Sequence, residues 1–138
     1  MDDEAQEAQE AVAMTAVSVE PNNCALEEAL HLKMEFTTLR PVASASWRVR
    51  FVADTASARK VIELGGTPVE EYAAGANTMA FSVSAVDVAH LKRHVLANVG
   101  LLQALLFSGE RELLQVSMVT QVTPVGDTLV RSVYNPLE

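Results

Sequence analysis

Residues 47–55 read WRVRFVADT, and their alternation decides the fold class. Trp47, Val49 and Phe51 fall on one side of an extended chain. Arg48, Arg50 and Val52 fall on the other. The first set is the apolar face of a half-buried strand. The second carries two arginines and ends in a valine, in a chain whose formal net charge is −8.

The same period recurs along the chain. In LHLKMEF (30–36), Leu30, Leu32, Met34 and Phe36 oppose His31, Lys33 and Glu35. In MAFSVSA (79–85), Met79, Phe81 and Val83 form the inward set. VAMTAVSV, RKVIELG, LLQALLF and ELLQVSMVTQV read as further strands, and TLVRSVY as a last extended segment. Pro21-Asn22-Asn23, Gly65-Gly66, SGER and TPVGD supply the turns between them. RPVASAS (40–46) reads as a loop. TPVEEYAAGANT (67–78) reads as a connection with room for a short edge strand. VDVAHLKRHVLAN (86–98) is the one segment with helical character, with Asp87 as its candidate cap. Many short alternating runs with at most one short helix describe an all-β, immunoglobulin-like β-sandwich. It is expected over residues 13–123, between an acidic flexible tail (1–12) and a C-terminal extended segment (124–138).

Composition narrows the function classes. Hydrophobic residues make up 49% of the 138 residues but aromatics only 5%, so the core is built mainly from Ala, Val and Leu. Asp2, Asp3, Glu4, Glu7 and Glu10 account for all but three of the eight net negative charges. A net-negative chain is poorly suited to direct nucleic-acid binding. Cys24 is the only cysteine, which points to a reducing intracellular setting with no internal disulfide. No apolar run approaches membrane-spanning length, and the acidic start is unlike a leader peptide.

Catalytic patterns are absent from the sequence. It has no glycine-rich phosphate loop and no G-x-S-x-G. His90 and His94 are four apart, but Leu91, Lys92 and Arg93 separate them and no third metal ligand is evident. Glu27-Glu28 and Glu70-Glu71 are neighbours, so on a strand they point to opposite faces. The expectation is a protein that is not an enzyme and uses no metal or cofactor. Arg48 and Arg50 share a face and read as a solvated surface or a binding surface.

Taken in order, VSVEPNNCALEEALHLKMEF, WRVRFVADTASA, PVEEYAAGANTMAFSV, HVLANVGLLQALL and ELLQVSMV resemble the anti-silencing-function family of histone chaperones. The resemblance runs from about Val17 to Val122. It implies an immunoglobulin-like sandwich without catalytic activity. It also implies a concave sheet surface that receives a histone helix and a strand edge that takes up a histone tail. The family's groove valine matches Val52, and a second groove valine falls on Leu101. Other histone-facing positions depart from the family. A groove valine falls on Gln103, an aspartate on Ala97, an arginine on Gln115 and a tyrosine on Val119. Arg59 and Lys60 stand where the family has acids.

A basic histone calls for acids on its receptor. The departures therefore imply a retained fold with a changed partner. The expected site is the outward face of Arg48, Arg50, Val52, Leu101, Gln103, Leu105, Gln115 and Val119. It would bind a protein helix or added strand that is apolar and carries acids, and neither nucleic acid nor membrane. The expected role is an adaptor or structural subunit of a larger assembly, with cytoplasm, cilium or axoneme as the working context. The alternative is a nuclear histone chaperone.

Overall fold

The alternating runs pair into two antiparallel sheets. The computed structural model describes residues 12–54, 59–89 and 91–137. The acidic segment 1–11, the turn at 55–58, His90 and Glu138 lie outside the described residues, and with them the tail reading and the His90/His94 pair.

Strands β1 (Val12–Glu20), β3 (Leu30–Thr38) and β7 (Gly75–Val83) form the smaller sheet, in the order β1-β3-β7. The larger sheet contains β2 (Cys24–Ala25), β4 (Val42–Asp54), β5 (Arg59–Gly66), β8 (Val99–Ser108), β9 (Arg111–Val125) and β10 (Thr128–Val133). Its order is β2-β10-β9-β8-β4-β5, and β6 (Glu70–Tyr72) pairs with the start of β4. The chain is an all-β sandwich.

The inward sets meet between the sheets. Leu30, Leu32, Met34 and Phe36 of β3 are buried, as are Trp47, Val49 and Phe51 of β4 and Leu102, Ala104 and Leu106 of β8. The few aromatics are concentrated at one junction. The Phe36 ring meets Trp47 edge-on at 5.5 Å and Tyr72 at 5.1 Å. Trp47 Nε1 donates to Tyr72 Oη at 3.2 Å. The indole is thus buried with its one donor satisfied, while tying both sheets and β6 together. Burial also holds the Tyr72 phenol above its ordinary pKa.

Four segments differ from the sequence reading. RPVASAS is not a loop, because β4 begins at Val42 and pairs there with Tyr72. Small residues suit that stretch: Ala45 is fully buried. The connection 67–78 does hold a short strand as expected, β6, but its end belongs to β7, which begins at Gly75 rather than Met79. The helical segment contracts to a four-residue α1 (Arg93–Leu96). Asp87 does not cap it; its carboxylate accepts the Ala89 N–H instead. The segment set apart as 124–138 is built into the larger sheet, since β10 pairs with β9 along Thr128–Val133.

That last strand carries a residue on which the architecture relies. Arg131 points inward and is 1% exposed. Its Nη1 donates to the carbonyls of Leu26 (3.0 Å) and Glu28 (2.9 Å), and its Nη2 to those of Pro21 (3.1 Å) and Ala29 (2.7 Å). One guanidinium thereby satisfies four carbonyls of the segment linking β1 to β3, about a hundred residues earlier in the chain. Desolvation lowers its pKa from the usual arginine value. Replacing it with an apolar side chain strands those carbonyls. Arg131→Met is expected to cost about 3 kcal/mol, read as a lower urea midpoint; an unchanged midpoint contradicts this role.

Candidate functional site

A strand that buries Trp47 must turn Arg48 the other way. The outward set of β4 faces away from the smaller sheet, and its neighbours are fixed by register. Val52 lies opposite Val61 of β5 and Leu101 of β8, and Leu101 lies opposite Val119 of β9. Arg50 lies opposite Glu63 and Gln103, and Gln103 opposite Ser117. Arg48 lies opposite Leu105, and Leu105 opposite Gln115. All eight residues singled out from the sequence therefore share one face, arranged as three rows across the strands.

The rows differ in chemistry. Val61, Val52, Leu101 and Val119 form an apolar row crossing four strands. The next row is polar and connected. Arg50 Nε donates to Gln103 Oε1 at 2.7 Å, and Gln103 Nε2 donates to Ser117 Oγ at 3.1 Å. Gln115 Nε2 reaches the same Oγ at 3.2 Å from the third row. Gln103 is thus held at both ends. An unpaired buried amide would be costly, but this one is satisfied at both ends although Gln103 is only 2% exposed. Arg48 lies over the Phe107 ring, 4.5 Å from its centroid. This cation–π contact holds an exposed charge in place.

The face is not a flat solvated surface. Val52 (0% exposed), Gln103 and Leu105 (5%) are buried, yet Val52 and Leu105 lie outside the hydrophobic cluster between the sheets. The sheets curl, and Val52 and Leu105 are covered on the outer face of the larger one. Val61 and Val119, at the ends of the apolar row, are 45% and 46% exposed. Gly100 permits this close pairing. A Cβ there would come within 2.6 Å of the Val52 carbonyl oxygen and 2.8 Å of the Phe51 ring.

Sequence reasoning missed Val61, Ser117 and Phe107. Ser117 lies between Gln115 and Val119 and Phe107 two residues past Leu105, so plain alternation places both on this face; Val61 joins it by pairing with Val52, and which strand pairs with β4 is not visible in the pattern. Elsewhere, His94, Glu27, Glu28, Glu70 and Glu71 are exposed, and Glu71 accepts the Ser44 N–H at 3.1 Å. No group of three or more His, Cys, Asp or Glu side chains able to hold a metal occurs among the described residues. No protein-family model matches the chain, and no curated protein matches it.

Val52 is buried outside the main core, and this is testable. Val52→Ala is expected to cost about 1–2 kcal/mol of stability, whereas Val119→Ala, on the same row, stays within about 0.5 kcal/mol. Equal, negligible effects in chemical denaturation would mean that the outer face does not close over Val52.

Proposed function

We propose that the chain is a non-enzymatic interaction module, a divergent relative of the anti-silencing-function chaperones. In this reading it acts as an adaptor subunit that takes up a protein segment on the outer face of the larger sheet. One observation carries the reading: a continuous apolar row with exposed ends lies beside a row of arginine and amides. An ordinary solvated sheet face gains nothing from burying Val52 and Leu105 outside the core.

The row suggests the shape of the ligand. At about 4.8 Å between strands, Val61 to Val119 spans roughly 14 Å. That length matches about ten residues of helix, whose apolar side chains would follow the row. Arg48 and Arg50, on one side of it, favour a ligand with carboxylates along that flank. An extended segment carrying acids meets the same requirements.

The histone reading draws on the position of Val52, which aligns with a groove valine in the resembling family and sits in the middle of this face. The two readings call for opposite ligand charge. Affinity capture from a whole-cell extract and from purified core histones, each at two salt concentrations, separates them. Captured protein that disappears with Val119→Asp, and weakens with Arg48→Glu/Arg50→Glu mainly at low salt, is the expected result. Histones retained at moderate salt and lost on Val119→Asp would make the chaperone reading correct. Capture indifferent to all three substitutions would remove this face from the function.

A further inference from the structure

We propose that the chain associates with a second copy of itself by antiparallel pairing of β7 with β7 of the other copy. The two three-stranded sheets then join into one continuous sheet. This contact lies on the edge of the smaller sheet, away from the outer face of the larger one, and does not rest on the reading of that face.

A strand edge presents a row of unpaired N–H and C=O groups, and stable folds protect such edges with charges, bulges, prolines or shortness. Among the described residues, β1, β2, β5, β6 and β7 each lie at an edge. Four of them are protected. β1 has a bulge between Met14 and Ala16, and Asn135 Nδ2 donates to its Val17 carbonyl at 2.8 Å. β5 carries Arg59, Lys60 and Glu63, all exposed, and a bulge between Glu63 and Gly65. β2 has two residues and β6 three. β7 has no such device. It runs for nine residues, GANTMAFSV, without a charge or a proline, and pairs with β3 without a break from Gly75 to Val83.

Parity and charge fit this edge to its own copy. Ala76, Thr78, Ala80 and Ser82 form its exposed set, all small, while Met79 and Phe81 are buried inside. A two-fold pairing that keeps the exposed sets together must set one residue opposite itself. Centred on Met79, it uses the whole strand and sets Ala80 opposite Thr78 of the second copy. On β3, Lys33 lies beside Ala80 and Glu35 beside Thr78. Each Lys33 therefore shares a row with Glu35 of the second copy, twice by symmetry. Centring on Thr78 or Ala80 would instead set glutamate against glutamate or lysine against lysine. The β1 residues on the two rows, Ser18 and Ala16, are neutral. Glu20 and His31, the other titratable groups of these three strands' outer face, lie on the row of Ser82, whose hydroxyl meets His31 Nδ1 at 2.7 Å. Glu70 and Glu71 share a groove with Glu35 and Thr78, which adds to the attraction for the incoming Lys33. Three strand spacings separate the two β3 strands by about 14 Å. Long side chains leaning over Ala80 and Thr78 bring the charges within a screening length of about 10 Å. A single-strand edge is a small interface, so the dimer is weak and depends on concentration.

Sedimentation equilibrium of the full chain at low salt, over a range of concentrations, reads the association. A reversible dimer is the expected result. Lys33→Glu alone and Glu35→Lys alone should each weaken it severalfold, and the two together should restore it. Both positions are exposed, and recovery in the double variant separates a charge effect from misfolding. Hydrogen exchange of the unmodified chain at high against low concentration should slow amides of β7 and leave those of β1 unchanged. A monomer at every concentration overturns the proposal. So does a dimer indifferent to the single reversals, one that the double variant fails to restore, or one that protects β1 or the outer face of the larger sheet in place of β7.

Discussion

The two-residue period of β4 is the constraint on which the rest of the structure depends. One half of that period commits Trp47, Val49 and Phe51 to the space between the sheets, where the indole meets Phe36 and Tyr72. The other half then has to present Arg48, Arg50 and Val52 on the opposite side. A slip of one residue would bury two arginines and expose the tryptophan, so the core sets the outer face. Register transmits this choice across the sheet. Val52 places Leu101, and Leu101 places Val119; Arg50 places Gln103, and Gln103 places Ser117.

Two arginines illustrate how burial and polarity are reconciled. Arg131 points inward and is stabilised by four carbonyls, which fixes the link between β1 and β3 to the last strand. Arg50 points outward and is held by one amide, which leaves the charge available at the surface. The first contributes to a stable sandwich. The second contributes to a surface whose side chains are already held in place; if that surface binds a ligand as proposed, the ordering cost of binding is lowered.

Much of this was legible in the sequence because alternation is a local property. β3, the middle of β4, β8 and β9 follow from counting every second apolar residue, and the outward residues were brought together because those strands are neighbours. What was not legible depended on distance or irregularity. Arg131 sits in an ordinary alternating run, and nothing nearby shows that four carbonyls a hundred residues earlier await it. The start of β4 lay hidden in Val42-Ala43-Ser44-Ala45, small residues that read as a loop until Tyr72 is seen beside them. Ser117 and Phe107 follow the same alternation as Gln115 and Leu105 and were legible with them, whereas Val61 depends on which strand pairs with β4, which pattern alone does not locate. The helical segment failed for a plainer reason: Val86, Val88 and Leu96 are drawn into the core, which leaves room for a single turn of helix.

The claim that matters most is that the outer face of the larger sheet is where another polypeptide sits. Hydrogen exchange on the complex recovered by affinity capture, compared with the free chain, measures this directly. Slowed exchange in residues 48–52, 61–63, 99–105 and 115–121, with β1, β3 and β7 unchanged, is the expected pattern. Protection confined to the smaller sheet, or to the free edges of β1 and β7, would contradict it.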